Sequence, residues 1–393
     1  MYSEITVVGA GVVGSSLACL LSKQGIKVTL LDRGSPLSLS KGSILQDRTL
    51  ALNLSSINLF KELNIWHELK KQTTPFKRMF VWDSKGSSPL EFLAEEINKK
   101  ELGYIISNNT ILKSLNKLIQ DSPKITLKQQ TELSGIDIKE NEICISFLGS
   151  ERISSKLIIG ADGINSTLRK KAKIKTRTWS YDQRAFVAGL KTEKFHEYTA
   201  WQLFTPTGPI ALLPFDLMEG SNISLVWSAE IDYAEKLQKL SKKEFVKELE
   251  EKTEQILGKI DLKTEIRSFP LNQLHAKNYF SERIALVGDS AHSFHPLAGQ
   301  GLNIGLSDVT SLSDVLIKAR RRGVDIGSKR TLKDYERSRK IPNLTMTAMM
   351  ELFKDGFATS DPWVKLARNF AFNVTTKSST LKKRVIKEAA GIT

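Results

Sequence analysis

The chain has 393 residues, 40% of them hydrophobic, so it is long enough for about two or three domains and for a large core without disulfide or metal staples. Cys19 and Cys144 have no Cys or His at metal-ligand spacing, and we expect no metal site and two buried, reduced thiols in a cytoplasmic protein. No apolar run reaches the roughly 18 residues that a membrane-spanning helix needs, and the net charge of +15 is spread along lysine-rich stretches such as 239–252, which favours a solvated face over nucleic-acid binding.

The N-terminal stretch predicts a dinucleotide-binding βαβ unit. It reads as an apolar strand, three glycines, an apolar helix and a second strand that ends in an acid, as this unit requires. Gly9 permits the tight turn, Gly11 lets a pyrophosphate approach the backbone, and Gly14 lets the helix pack closely on the sheet. Asp32 follows Gly14 by 18 residues and is placed to bond a ribose hydroxyl. This unit alone does not distinguish FAD from NAD.

Two further loops combine glycine with an acid. The first, residues 157–169, is a strand followed by Gly160-Ala-Asp162-Gly163 and the start of a helix. An Asp-Gly turn with a serine helix cap explains those residues equally well. The second, residues 283–308, contains Gly288-Asp289 and then several more glycines. Ordinary turn chemistry does not produce a run of that length.

The two loops resemble, respectively, the Asp-Gly and Gly-Asp motifs of flavoprotein hydroxylases. With the N-terminal unit, they resemble in order the para-hydroxybenzoate hydroxylase group of single-component flavin monooxygenases, from about Ile5 to Asn343. Five other segments are similar to the ubiquinone-biosynthesis hydroxylases in particular: residues 47–52, 103–108, 179–183, 200–214 and 226–228. The resemblance therefore implies a member of that subgroup.

The resemblance implies how the chain holds FAD. Asp289 would accept hydrogen bonds from the ribityl chain, and the helix that follows would point its first amides at the flavin, where they stabilise negative charge on the reduced ring. Pro296 would stiffen the intervening loop. The residues assigned to cofactor binding are Gly9, Gly11, Gly14, Asp32, Arg33, Arg48, Asn108, Asp162, Gly288, Asp289, Pro296, Gly299, Gly301, Leu302 and Asn303.

No side chain stands out as a catalyst, because in this group the flavin carries the chemistry. Pro296 and His295 are expected near the flavin, while a packed or capping role is favoured for His292 and His295 over a chemical one. Departures from the family pattern are small: Asp32 replaces the usual Glu, Ser290 the usual Ala, and Asn109 a common Arg.

The spacing of the three loops predicts a discontinuous architecture. We expect an α/β fold with a Rossmann-like FAD-binding domain, an inserted antiparallel β-sheet substrate domain and a C-terminal helical segment. The predicted bounds are 1–74, 103–175 and 270–342 for the first, 75–102 and 176–269 for the second, and 343–393 for the third. Trp201, Phe204 and Phe215 are candidates for the substrate pocket, although core packing is favoured for any one of them.

The implied function is FAD-dependent hydroxylation of an aromatic ring, that of a polyprenylated phenol in ubiquinone biosynthesis, through a C4a-hydroperoxyflavin. O2 is the co-substrate, and the reductant is NAD(P)H or a ferredoxin-type protein. A flavin-dependent reductase or oxidase of the same fold is the alternative. A nicotinamide dehydrogenase would leave the Asp162 and Asp289 loops unexplained, and the halogenase signature is absent after Trp179. A non-catalytic protein that binds lipid or nucleic acid through its positive charge is a further reading.

The expected partners are an apolar phenolic small molecule and a membrane surface or ubiquinone-biosynthesis complex, with no nucleic acid. Residues 361–393 hold seven Lys or Arg against two acids, a net of +5. The segment from Trp363 to Lys387 combines these charges with apolar residues, as in helices that lie on anionic membranes. A helix packed on the body with its charged side in water is slightly favoured over this interpretation. The expected location is therefore the cytoplasm, with peripheral attachment to the inner face of the cytoplasmic membrane if the segment binds lipid.

Overall fold

The computed structural model describes residues 2–34, 47–84, 89–147, 152–216, 220–293 and 300–358, together with Lys382, Lys383, Ile386, Lys387 and Gly391. In these ranges the chain forms three β-sheets and the helices that cover them. None of the helices found there is long and apolar enough to cross a bilayer.

An eight-stranded sheet contains the first glycine-rich motif. Its strands are β1 (Tyr2–Val8), β2 (Val28–Leu31), β8 (Ile125–Lys128), β9 (Leu133–Ile138), β10 (Ile143–Phe147), β11 (Arg152–Gly160), β18 (Phe280–Ser281) and β19 (Ile284–Leu286). The strands β19, β11, β1, β2 and β8 lie side by side and run parallel. Because parallel strands end at one edge of a sheet, the loops that follow β1, β2, β11 and β19 meet there.

Helices bury one face of this sheet. The apolar residues of β1, β2 and β11 on that face pack against α1 (Val12–Lys23), α4 (Asn108–Asp121) and α8 (Gln300–Arg321). The opposite face packs against α5 (Thr167–Lys171) and the strands β9 and β10. The sheet is therefore buried on both faces, as the near-continuous apolar runs of its central strands require.

A nine-stranded sheet forms the second layer, as the alternating pattern of residues 176–230 predicted. Its strands are β5 (Arg78–Asp83), β6 (Leu90–Leu93), β12 (Thr176–Thr192), β13 (Thr199–Thr205), β14 (Gly208–Pro214), β15 (Asn222–Glu230), β16 (Ile260–Leu262), β17 (Arg267–Ala276) and β20 (His292–Ser293). The pairs β12–β15, β14–β15, β13–β14 and β12–β17 are antiparallel, whereas β13 and β5 are parallel.

The two faces of the nine-stranded sheet contact different parts of the molecule. The outer face, which includes Trp201 and Trp227, packs on α6 (Ile231–Lys239) and α7 (Lys242–Lys252). The inner face, which includes Leu213 and Phe215, packs against a small sheet formed by β3 (Thr49–Asn53), β4 (Thr74–Phe76) and β7 (Gly103–Ser107). We call this contact the seam. The remaining helices are α2 (Leu54–Glu62), α3 (Trp66–Lys70) and α9 (Lys329–Ala358).

Two expected domain bounds differ from the structure. Residues 270–276, assigned to the cofactor domain, continue β17 of the nine-stranded sheet. The break expected after residue 342 falls inside α9, which runs through Pro342 without interruption. A proline removes one backbone donor from a helix, yet α9 is supported on both sides of that position, because the side chains of Arg339 and Asn343 are hydrogen-bonded to Asp308 of α8.

The expectation for the cysteines holds in part. Both thiols are free, and Cys19 is buried, but Cys144 is only half-buried. Cys144 lies on β10 with its Sγ 3.1 Å from the hydroxyl of Ser154 on β11. Alternate side chains of a strand face opposite sides, and Cys144 takes the side opposite to the buried Ile143 and Ile145.

The C-terminal residues that the structure describes pack on the body. The ammonium of Lys382 lies 2.6 Å from a carboxylate oxygen of Glu96. Ile386 is 3% exposed and packs in the seam with Phe215. These contacts favour the packed alternative for Lys382 and Ile386, whereas most of the segment that we assigned to a membrane surface, from Trp363 onward, lies outside the described residues.

Candidate cofactor and substrate site

The carboxyl edge of the parallel strands brings the three predicted loops together. Gly9 follows β1, Asp32 follows β2, Asp162 follows β11 and Asp289 follows β19. A Cβ placed on Gly9 would lie 2.4 Å from the carbonyl oxygen of Ala161, so the first two loops are in direct contact. The loops that are far apart in sequence therefore form one site at the sheet edge.

The three glycines of the first loop meet different demands. Gly9 has a φ of +106°, which side-chain-bearing residues rarely adopt. A Cβ on Gly14 would lie 1.9 Å from the carbonyl oxygen of Gly9, so only glycine allows α1 to approach this closely. A Cβ on Gly11 would meet no atom within 4 Å. The space beside Gly11, at the N-terminus of α1, is thus available to an anionic group.

Asp32 is held by the backbone that surrounds it. One carboxylate oxygen accepts the N–H of Ala10 at 2.6 Å, and the other accepts the N–H of Gly34 at 2.6 Å. Each oxygen keeps a further lone pair for a hydroxyl donor, and the side chain is half-buried. The neighbouring Arg33 is exposed. The contact of Asp32 with a ribose hydroxyl and the contact of Arg33 with the cofactor stay predictions.

Asp289 lies in a 3-10 turn, Gly288–Ser290, directly after β19. Its side chain is accessible to solvent, although protein atoms crowd around it. This crowding raises the pKa of the Asp289 carboxyl, while the positive charge of Arg48 lowers it. The effect of Arg48 shows that two residues assigned to the cofactor, separated by 241 positions in the sequence (289 minus 48), lie close to each other.

The segment that contains Arg48 is hydrogen-bonded to the start of α4. The carbonyl oxygen of Arg48 accepts the N–H of Asn108 at 2.8 Å. The carboxylate of Asp47 accepts a hydrogen bond from the hydroxyl of Ser107 at 2.8 Å and one from the amide of Asn109 at 2.6 Å. Asn109, which stands where the family often has Arg, therefore helps to place Arg48.

Asp162 is hydrogen-bonded to the start of α5. One of its oxygens accepts the N–H groups of Thr167 and Leu168, at 2.7 and 3.1 Å, at the start of α5. The hydroxyl of Ser166 caps the same helix. The interpretation of this loop as a turn with a helix cap thus accounts for one oxygen of Asp162, whereas the other is buried without a hydrogen-bond partner among the described residues. The contact of Asp162 with the cofactor stays a prediction.

The start of α8 supplies the amides that we expected near the flavin. Gly301, Leu302 and Asn303 lie in its first turn, where N–H groups have no acceptor within the helix. A Cβ on Gly301 would meet no atom of the described residues within 4 Å. The side chain of Asn303 points elsewhere, because it accepts the N–H of Asn53 at 3.0 Å and donates to the carbonyl of Ala51 at 2.9 Å. His295, Pro296 and Gly299 lie outside the described residues.

The three aromatic residues predicted for the substrate pocket do not share a face. Trp201 lies on the outer face among the residues that pack against α6 and α7, so the core-packing alternative describes it. Phe204 and Phe215 lie on the inner face, but in separate clusters. Because residues 201 and 204 differ by an odd number of positions on β13, their side chains point to opposite sides.

Half-buried residues on the inner face were missed by the sequence argument. Val187 pairs with Val226, Val226 with Ala211, and Ala211 with Gln202, which forms a row across four strands. Val187, Val226 and Gln202 remain partly accessible. This row lies beside the seam, and alternation along β12, β13 and β15 is the signal that could have found it.

Arg169 and His292 are buried links between the loops. Arg169, 4% exposed, donates to the carbonyl of Ser290 at 2.8 Å and so joins the Asp162 loop to the Asp289 loop. Burial lowers the pKa of its guanidinium. His292, 1% exposed, lies with Nε2 2.5 Å from Asp308. The packed role predicted for His292 is therefore confirmed.

The residues at the sheet edge fit FAD. Open space beside Gly11 and Gly301 at two helix N-termini suits a phosphate chain and a flavin edge. Arg33 and Arg48 provide accessible positive charge, and Asp289 provides an accessible carboxylate next to Arg48. The inner face of the second sheet adds an apolar surface beside these groups.

Comparison with known proteins agrees with this geometry. The family described as FAD binding domain matches residues 2–347. The 3-demethoxyubiquinol 3-hydroxylase of Escherichia coli is 33% identical over 392 residues, covering 99% of each chain. The mitochondrial ubiquinone biosynthesis monooxygenase COQ6 of Caenorhabditis elegans is 33% identical over 95% of this chain and 92% of its own. Ubiquinone hydroxylase UbiL of Rhodospirillum rubrum is 32% identical over 99% and 90%.

Solved structures share the fold at lower identity. The p-nitrophenol 4-monooxygenase PnpA of Pseudomonas putida superposes with a TM-score of 0.81 at 19% identity, over 99% of this chain and 98% of that one. PqsL of Pseudomonas aeruginosa, a probable FAD-dependent monooxygenase, gives a TM-score of 0.80 at 17% identity, over 94% and 100%. The α/β architecture with its second sheet is therefore that of known flavin enzymes.

We expect Gly11→Val to abolish FAD binding while the protein still folds. Its side chain would enter the space beside the N-terminus of α1 without touching protein atoms, so a phosphate is excluded but packing is preserved. Titration of the apoprotein with FAD, followed by flavin fluorescence, measures this. The matched control is Gly135→Val on β9, where a Cβ meets only the Cβ of Ser146 at 3.9 Å. Normal FAD affinity in Gly11→Val would refute the site.

His275 should make the protein less stable in mild acid. It is 7% exposed, and its Nε2 lies 3.0 Å from the hydroxyl of Tyr279. Burial first, and then the charges of His292, Lys340 and Arg177, lower its pKa from 6.5 to about 4. The unfolded chain therefore binds this proton more readily, and stability falls as the pH drops from 6.5 towards 4.

The free energy of unfolding should fall by about 3 kcal/mol over this pH range because of His275. Thermal unfolding between about pH 7 and pH 4.5 measures it, and His275→Gln, which keeps a hydrogen-bonding side chain but cannot be protonated there, should reduce the slope. The same slope in both proteins would assign the acid sensitivity to other groups.

Proposed function

The chain belongs to the FAD binding domain family, and from this membership we propose that it is an FAD-dependent monooxygenase that hydroxylates the ring of a polyprenylated phenol in ubiquinone biosynthesis. The observation that carries the proposal is similarity over almost the whole length, 33% identity over 99% of both chains, to a 3-demethoxyubiquinol 3-hydroxylase. The same extent of match to a COQ6 monooxygenase and to a ubiquinone hydroxylase supports it.

When bound, FAD would supply the activation of O2 and the transfer of one oxygen atom to the ring. The chain's own residues have three tasks. Gly11, Asp32 and Arg48 would hold the phosphates and ribose, and Asp289 with the first amides of α8 would hold the flavin end and support negative charge there. The inner face positions the ring and keeps water away from it.

The seam is the part of the molecule where an apolar phenol fits. The row of Val187, Val226 and Gln202 is half-buried and lies on the face that packs against β3 and β7. Thr49 of β3 and Ser224 of β15 bring their hydroxyl oxygens within 2.5 Å across the seam. The site at the edge of the first sheet and the apolar row of the second are thus held next to each other.

We propose NAD(P)H as the reductant. The sequence contains one dinucleotide-binding unit, and we assign that unit to FAD. A ferredoxin-type protein is the other donor class, and the net charge of +15 suits an acidic carrier. Reduction of the bound flavin by NADH, by NADPH or by reduced ferredoxin, followed as loss of the yellow absorbance, separates these donors.

We expect the purified holoenzyme to consume O2 and to form a hydroxylated product when it is given NAD(P)H and a short-chain prenylated phenol. Mass spectrometry of the product under ¹⁸O2 tests this, because a monooxygenase places one labelled atom on the ring. The Gly11→Val protein is the control without cofactor. Oxygen uptake with no labelled product would instead identify an oxidase, and reduction of the substrate would identify a reductase.

We further propose that the protein works at a membrane surface, because a polyprenylated phenol is far too apolar to be delivered from water. Lys382 and Ile386 face the body, but Lys383 and Lys387 in the same stretch are exposed. Exposed basic side chains next to an anionic bilayer each contribute about 1 kcal/mol of attraction.

The charge reversal Lys383→Glu with Lys387→Glu should weaken binding to vesicles of anionic lipid by about tenfold or more, with no change in FAD content. Co-sedimentation with the vesicles measures the affinity. The control is Lys239→Glu with Lys243→Glu. Both lysines are exposed, and the two substitutions change the net charge by the same amount at α6 and α7, away from the C-terminal stretch. Equal effects of the two double variants would mean that binding depends on overall charge and not on the C-terminal stretch.

A further inference from the structure

Asp308 of α8 is a buried carboxylate with four hydrogen-bond donors. One oxygen lies 3.1 Å from the N–H of Gly288 and 2.5 Å from Nε2 of His292. The other accepts from Nε of Arg339 at 2.8 Å and from the amide of Asn343 at 3.2 Å. Asp308 is 0% exposed, so these donors replace water completely.

Two of those donors stand at the two ends of one short segment. Gly288 precedes Asp289, and His292 ends the segment as the first residue of β20. Gly288 has a φ of +58°, a left-handed conformation that favours glycine. A single carboxylate oxygen therefore holds both ends of the five-residue turn that presents Asp289 to the cofactor site.

The other two donors connect this turn to α9. Arg339 and Asn343 lie one helical turn apart on α9, and the guanidinium of Arg339 also donates to the side-chain oxygen of Asn343 at 2.7 Å. The amide of Asn343 reaches the hydroxyl of Tyr279 at 3.3 Å, which in turn contacts His275. The network thus joins the turn to α9 and to β17 of the nine-stranded sheet.

Asp308 carries its negative charge at every working pH. Burial alone raises the pKa of this carboxyl, but the charges and hydrogen bonds of His292 and Arg339 outweigh burial and lower it to about 2. Its charge also acts on the neighbouring site, where it raises the pKa of Asp289 while His292 lowers it. Replacing Asp308 therefore changes both the geometry and the charge beside Asp289.

We propose that Asp308 is a positioning residue for the cofactor, which holds both ends of the Asp289 turn, couples that turn to α9 and adds a fixed negative charge behind it. The proposal rests on the proposed FAD-dependent function. Nothing in the resemblance assigns a role to Asp308, and its side chain touches the turn and not the place predicted for the flavin.

The test compares Asp308→Asn with Tyr335→Phe. Tyr335 is also 0% exposed, and its hydroxyl donates to the carbonyl of Leu286 at 2.8 Å, at the end of β19 but outside the turn. Both variants lose buried hydrogen bonds, so both should unfold at a lower temperature. Only Asp308→Asn should raise the Kd for FAD, by at least about tenfold, because the turn loses its clamp.

The midpoint potential of the bound FAD is a second measurement, and its value does not depend on how stable the variant is. Removal of a negative charge favours the reduced flavin, which carries more negative charge, so the potential of Asp308→Asn should become less negative. If the substitution weakens the binding of oxidised FAD tenfold more than that of reduced FAD, the potential rises by about 30 mV. Tyr335→Phe should leave the potential unchanged.

A milder variant covers the case in which Asp308→Asn does not fold. Asn343→Leu removes one donor from Asp308 but keeps its negative charge, so it should raise the Kd for FAD by a smaller factor and should not make the potential less negative. An unchanged Kd and potential in the folded variants, or a loss of affinity in Tyr335→Phe as large as in the Asp308 or Asn343 variant, would overturn the proposal. Failure of the wild-type protein to bind FAD would instead reject the proposed function itself.

Discussion

The close approach of α1 to the loop after β1 is the constraint on which the cofactor site depends. It exists because Gly14 has no side chain, since a Cβ there would lie 1.9 Å from the carbonyl oxygen of Gly9. That approach places the start of α1 at the edge where β2, β11 and β19 also end. Ordinary side chains at Gly9 or Gly14 would push the helix away, and the amides and the carboxylates would no longer face the same volume.

Features set by local backbone chemistry were predictable from the sequence. The glycine turn, the acid that ends β2, the Gly-Asp turn and the antiparallel strands all follow from residue types at short spacings. Trp201 follows the core-packing interpretation, and the sequence left the pocket role open because a residue type does not reveal which side of a strand faces the cofactor domain. That orientation depends on register, which alternation along β13 and its neighbours specifies.

Other features depend on contacts between elements that are far apart in the sequence. Asp308 ends the glycine-rich run, yet half of its donors come from α9, so no short-range pattern indicates its role. The serine cap of α5 was foreseen as an alternative for the Asp162 loop, and the observed contacts of Ser166 and Asp162 with α5 support it. The boundary expected after residue 342 followed the end of the resemblance near Asn343. However, α9 continues through Pro342, because Arg339 and Asn343 on either side are hydrogen-bonded to Asp308 of α8.

The short strand β20 has a mechanical consequence. It follows the Asp289 turn and hydrogen-bonds to β17, which pairs with β12 of the nine-stranded sheet. The backbone that follows the Asp289 turn and the backbone of the nine-stranded sheet are therefore parts of one continuous ladder. A hinge motion that swung the two layers apart would have to break that ladder, so substrates should enter by movement of side chains and loops while the layers stay together.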